Sequence, residues 1–470
     1  MTRRVLVFLS LSALLLCLAV VAPRAQTAAP PVGLQGQVDQ IAHDVLEATG
    51  VPSASVAVVS GDALVYAQGY GKARLSPALA AVPTMRYSIG SVSKQFAASC
   101  ILLLEEQGKL SLDDPVGRYV PGLTRGNEVT IREILSHTSG YQDFWPQDYV
   151  PPAMMKPITP EQILDGWARR PLDFDPGTKW QYSNTNFTIA GLIVEKASGM
   201  PFWNFLEQHI LQPLGLKSAV DSDGRPIPAD QPSGYFRYAL GPARPAPVTG
   251  RGWGFAAFEL AMTSSDLAKW NLSIINESLL KPSSYRELET EVRLKNGLGT
   301  HYGLGLEVLS LDGHRELEHS GETSGFTSEN IVLPDDKMAV TVLTNQDAAS
   351  AASQIGQRVT RALLRHDSPT DQRQAALARK VFDDLRAGKI DRSLFTPNAN
   401  AYFTNQAVQD YAESLSPLGE IESFVPTAVQ GRGGMIYRGF LVTFATKTVS
   451  VSIYEMPDGK FEQYLIASRD

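Results

Sequence analysis

The segment Tyr87-Ser88-Ile89-Gly90-Ser91-Val92-Ser93-Lys94-Gln95-Phe96 sets a serine and a lysine three residues apart at the start of an apolar run, Phe96 to Leu104. On a helix that spacing puts both side chains on one face. A serine hydroxyl is a weak nucleophile until a neighbour takes its proton, and a lysine can do so only if burial or another cation lowers its pKa. The apolar run would supply the burial, Gly90 a sharp bend, and the first helical turn free N–H groups at the positive end of the dipole. Ser-x-x-Lys alone arises by chance about once or twice in a chain this long. Ser278-Leu279-Leu280-Lys281 is such a match, set before a proline with no buried helix behind it. Two further stretches carry complementary chemistry. Tyr182-Ser183-Asn184 precedes a helical pattern and offers a phenol to accept or relay the serine proton and an amide to hold a substrate. His319-Ser320-Gly321 closes a strand pattern, where glycine would let a substrate backbone approach the sheet edge. Ser328-Glu329-Asn330 imitates the second stretch but runs into a strand. A core tyrosine with a helix cap, and a plain turn, would give the same local sequences.

These residues need a scaffold to bring them together. The chain has 470 residues, 43% apolar and 19% charged, enough for two or three domains. A net charge of -7 disfavours nucleic acid or an anionic membrane surface as partner. Arg3 and Arg4, the apolar stretch Val5 to Val21 and Ala22-Pro23-Arg24-Ala25 read as a signal peptide over 1–25, so the mature protein is expected to be exported, periplasmic or secreted, without a stable membrane span. Its removal leaves Cys100 as the one cysteine, a small buried hydrophobe. A helix is predicted around Val38 to Leu46, ending at Gly50, then a hairpin, 55–59 with 63–68. Helical segments and Pro/Gly-rich loops fill 109–259, with Thr130 and Glu133 spaced as a capping box. Strand patterns return at 303–309, 316–319, 330–333 and 338–343, followed by a helix over 350–364. This order predicts one antiparallel sheet made from both ends of the region, with an inserted helical lobe and a cleft between them. The segment 366–371 reads as a linker, and 372–470 as a small α+β module with a leading helix and three closing strands. Seven histidines show no metal-ligand spacing, so neither metal nor cofactor is expected.

Ser91-x-x-Lys94, Tyr182-x-Asn184 and His319-Ser320-Gly321, in this order, resemble the three motifs of the penicillin-recognising serine hydrolases: class C β-lactamases, D,D-carboxypeptidases, D-aminopeptidases and family VIII carboxylesterases. Gly108 to Asp114, Ile134 to Gly140, Gln212 to Leu216 and Tyr302 to Gly305 agree with that resemblance. It spans about 34–365 and implies a β-lactamase-like α+β fold. By resemblance, Ser91 is the acylated nucleophile, and Lys94 and Tyr182 share the proton transfers, with neither singled out as the base. Asn184 orients the substrate amide, and the backbone N–H groups of Ser91 and Glu322 form an oxyanion hole. His319 stands where β-lactamases carry lysine, so it would bind a substrate carboxylate by charge only below a pKa near neutrality. The Glu322 carboxylate, expected beside the site, would repel anions or hold a free amine. His137 is expected to be structural. The resemblance implies hydrolysis of D-amino-acid peptides, with carboxylesterase, weak β-lactamase or non-catalytic wall-binding roles as alternatives; the partners are a small peptide or ester, with peptidoglycan among the candidates. The tail module faintly resembles nuclear-transport-factor-2-like (NTF2-like) domains.

Overall fold

The computed structural model describes residues 33–367 and 369–468. The predicted signal peptide lies outside them. Helix Leu34–Thr49 closes on Gly50 in the left-handed conformation, as its sequence predicts. A seven-stranded antiparallel sheet follows the order Leu79–Ala80, Ala63–Arg74, Ser53–Ser60, Met338–Thr344, Phe326–Leu333, His314–Thr323, Glu307–Leu311. Its centre joins the two ends of the region, with Val56 opposite Val342. The fold is thus the α+β arrangement expected from the element order: an antiparallel sheet flanked by helices, with a helical lobe inserted between its two halves.

Alternation explains why the central strands read as unbroken apolar runs. Val56 and Val58 pack with Val38, Val45, Ile355 and Val359 beneath Leu34–Thr49 and Ala351–Asp367. Ala57 and Val59 point the other way, into the core shared with Phe96, Ile101 and Trp270 and the helical lobe. The capping box at Thr130 and Glu133 forms as predicted, its Thr130 hydroxyl accepting from Glu133 N.

The predicted linker 366–371 is mostly helical: one helix runs to Asp367 and the next spans Pro369–Arg386, with 368 outside the described residues. The tail has its own apolar cluster, including Phe382, Phe395, Phe440, Phe461 and Tyr464. Its sheet holds four strands rather than three, in the order Ile421–Arg432, Met435–Phe444, Thr448–Glu455, Phe461–Ser468. The unpredicted strand contains Pro426 at a register break. Proline lacks a ladder donor and is tolerated at such a bulge on an edge strand, which masks the strand pattern.

Candidate active site

Ser91 sits in a 3-10 turn, Gly90–Val92, that leads into helix Ser93–Glu106. The tight turn, rather than an α-helical face, brings Ser91 over Lys94, because three residues complete one turn of a 3-10 helix. Gly90 has φ 55°, and a Cβ there would lie 2.6 Å from Glu322 N and 3.0 Å from Gly321 Cα. Only glycine lets the two backbones approach so closely, which places the N–H of Glu322 beside the Ser91 turn.

Lys94 is fully buried. Its Nζ stands 2.9 Å from Ser91 Oγ, 2.9 Å from Asn184 Oδ1 and 3.1 Å from the Ala257 carbonyl. Burial pushes the ammonium down to about 7, against the pull of the Asp143 carboxylate. Burial drives the pKa of the Tyr182 hydroxyl well up, against the pull of the nearby Ser91 hydroxyl. Lys94 Nζ lies 4.8 Å from the centre of the Tyr182 ring. One serine, one amine poised near neutrality and one neutral phenol therefore meet at a single point.

Asn184 opens helix Asn184–Ser198. Both ends of its amide are engaged: Oδ1 accepts from Lys94, and Nδ2 lies 3.2 Å from Asp143 Oδ1, which also accepts from Asn184 N at 2.8 Å. A substrate amide would have to displace one of these partners. Asp143 and the Ala257 carbonyl belong to no motif, and their part in holding Asn184 and Lys94 emerges only from the fold.

His137 clamps the residues on either side of Tyr182. Its carbonyl accepts from Gln181 N at 3.0 Å, its Nδ1 accepts from Ser183 N at 3.1 Å, and its ring lies 4.3 Å from the Tyr182 ring.

The expectation that His319 carries charge near neutrality is overturned. The ring is buried, and burial together with Lys94 pushes its pKa down to about 3. Its Nδ1 donates to the Ser320 carbonyl at 2.6 Å, which leaves Nε2 to accept the Tyr302 hydroxyl at 2.8 Å. His319 is therefore a neutral acceptor that orients Tyr302.

The strand His314–Thr323 loses its outer neighbour after Glu318, whose partner is Glu307, so 319–323 is a free edge, as its glycine suggests. The reason for Gly321 differs from the one expected: a Cβ would strike the Ile89 carbonyl at 2.0 Å and Ser328 Oγ at 2.3 Å. Ser320 is exposed at this edge. The Glu322 carboxylate does not flank Ser91, as expected, but accepts from Ala348 N at 2.9 Å ahead of helix Ala351–Asp367. Strand alternation accounts for this, since Glu318 and Glu322 turn towards that helix while His319, Gly321 and Thr323 turn towards Ser91's segment. Ser328-Glu329-Asn330 is core: Ser328 donates to the Ile89 carbonyl, and Asn330 exchanges amide bonds with Asn271.

Residues 38–365 match the family model described as Beta-lactamase. "Penicillin-binding protein 4*" of Bacillus subtilis (strain 168) is 26% identical, over 62% of this chain and 68% of its own length. "D-aminopeptidase" of Gluconobacter oxydans (strain 621H) is 27% identical over 64% of this chain, which spans 57% of that relative. Among solved structures, the D-stereospecific amidohydrolase from Streptomyces sp. superposes with a TM-score of 0.59 at 27% identity, covering 68% of this chain and 96% of the other.

Proposed function

Because the chain belongs to the beta-lactamase family of serine hydrolases, we propose that it is an exported enzyme that forms an acyl-enzyme on Ser91 and cleaves amide or peptide bonds of D-amino acids, in the manner of a D,D-carboxypeptidase or D-aminopeptidase. The observation that carries this reading is the buried Lys94 amine, 2.9 Å from Ser91 Oγ and with its pKa pushed down to about 7. An amine neutral at physiological pH can accept the serine proton, which a fully charged lysine cannot.

Ser91 Oγ–H gives its proton to Lys94 as Oγ bonds the substrate carbonyl carbon. The oxyanion is held by the N–H groups of Ser91 and Glu322. The carbon–nitrogen bond then breaks, and the leaving amine takes a proton from the Tyr182 hydroxyl, which Lys94 replenishes. Water attacks the ester, passes a proton back through the same pair, and frees the acid and Ser91. The D-aminopeptidase and D-stereospecific amidohydrolase among similar proteins support the substrate class, and the predicted signal peptide supports export, with peptidoglycan stem peptides as candidate substrates.

One observation favours a second reading, carboxylesterase action. Neutral His319 offers no cation to the carboxylate of a β-lactam or a D-alanyl terminus, so esters and uncharged amides lose nothing in this site.

The test is intact-protein mass spectrometry after incubation with a fluorophosphonate and, separately, benzylpenicillin. It is paired with turnover of D-alanyl-D-alanine peptides, D-amino-acid amides and p-nitrophenyl esters. A fluorophosphonate adduct that vanishes in Ser91→Ala, with turnover of D-amides, is the expected result. Turnover that survives Ser91→Ala would sink the assignment, and esters turned over without any D-amide would establish the second reading.

A further inference from the structure

A cavity of about 290 Å³ lies between the strand Tyr87–Ser88, the strand Leu260–Met262, the turn after Thr323, and the loops around 222–234 and 246–249. None of the steps above uses it, yet three of its lining residues stand within three positions of groups at the reaction centre. Ser88 precedes Ser91 by three residues, Thr323 follows the Glu322 N–H, and Phe258 follows the carbonyl that holds Lys94. Thr323 and Ser88 join the walls through a 3.1 Å hydroxyl bond.

Much of the lining is apolar, Ile227, Val248, Phe258 and Phe326 among it. Its charges are matched with one exception. Asp221 pairs with Arg225 at 2.7 Å, and the Asp223 carboxylate accepts from Gly252 N at 2.7 Å and Gly254 N at 2.9 Å. The Arg86 guanidinium makes no hydrogen bond or ion pair among the described residues; only its backbone N–H is used, donating to Gln231 Oε1 at 2.8 Å. Arg86 and Ser88 both line the cavity, while the Tyr87 ring between them meets Phe326 edge to face.

We propose that this cavity receives the acyl side of the substrate and selects an apolar stem that ends in a carboxylate, which Arg86 holds. The proposal rests on the Ser91 acyl-enzyme reading and adds to it the identity of the transferred group. A planar guanidinium without a protein partner among the described residues, on the wall of a largely apolar cavity beside the Ser91 segment, suits bidentate capture of a terminal carboxylate.

Three p-nitrophenyl esters read it in the full mature chain: acetate, hexanoate and the half-ester of adipic acid. The adipate half-ester should exceed hexanoate in kcat/KM by about tenfold, a ratio that salt reduces. Arg86→Gln should lower that ratio at least about tenfold and Arg86→Glu should bring it below one. Val248→Asp, on an exposed part of the wall, should depress hexanoate relative to acetate. An adipate-to-hexanoate ratio unchanged in both Arg86 variants, with acetate turnover still dependent on Ser91, would overturn the proposal and leave the acyl-enzyme standing. Acetate turnover that survives Ser91→Ala would instead remove the acyl-enzyme reading, and this proposal with it.

Discussion

On the proposed acyl-enzyme mechanism, Lys94 sets the working pH of the site. Its ammonium, pushed down to about 7 by burial, must be neutral to take the Ser91 proton, so kcat/KM for an ester should fall as pH drops through 7 and level off above it. Stopped-flow acylation between pH 5 and 9 checks this. Lys94→Arg, charged throughout that range, should cost about 10³-fold and flatten the profile. His319, pushed down to about 3, should add no limb between pH 5 and 8. Gly90 is the second control point. Gly90→Ala must accommodate φ 55° and a Cβ 2.6 Å from Glu322 N, so it should lower stability by about 1–3 kcal/mol in urea melts and reduce kcat on the order of 10²-fold through the displaced N–H.

At the scale of elements, the sheet carries a cost on the side away from Ser91. Glu316 and Glu318 bond Gln357 of the overlying helix, and Glu329 stands beside Glu318. Burial and then the Glu329 partner push Glu318 up to about 9, and burial with Glu318 pushes Glu316 up to about 7. A carboxyl whose folded pKa is raised adds stability that is complete below its unfolded value of 4.5 and is lost as pH rises through the folded value. Thermal stability should therefore decline from pH 5 to 9, and Glu318→Gln should flatten the decline, raising Tm by a few degrees at pH 9. Scanning calorimetry across that range decides it.

The legibility of the sequence divides at the same scale. The sheet, its two-ended origin and the Thr130 cap could be read because apolar alternation and capping chemistry are local. The three motifs could be read because Ser91 and Lys94, Tyr182 and Asn184, and His319 and Gly321 each fall at a short spacing within one stretch. The carboxylate direction of Glu322 and the neutrality of His319 could not, since strand facing and burial depend on partners such as Ala348 and Tyr302 that are distant in sequence. The strand Ile421–Arg432 was hidden by Pro426, and Asp143 by belonging to no pattern.

At the scale of the molecule, the tail has a core of its own and, among the described residues, meets the larger part at helices on both sides. The strand Ile421–Arg432 lies against helix Leu34–Thr49, and helix Pro369–Arg386 lies against Ala351–Asp367. A chain ending at residue 367 should keep fluorophosphonate labelling of Ser91 within about twofold. It should melt a few degrees lower because the helix Leu34–Thr49 loses its cover. Among the described residues no helix is long and apolar enough to cross a membrane.

The pairing of Ser53–Ser60 with Met338–Thr344 sets a timetable for the nascent chain. The strand at the heart of the sheet is made early but waits for its neighbour until the whole helical lobe has been synthesised. Closing so long a loop costs entropy before any central contact repays it, and a topology dominated by such distant pairings folds slowly. Until residue 344 emerges, the apolar hairpin Ser53–Arg74 has no partner on one edge and is open to other chains. Slow completion of this one strand pair, rather than of the Ser91 turn, is then the step at which a holding chaperone or a cold growth temperature would raise the yield of folded protein.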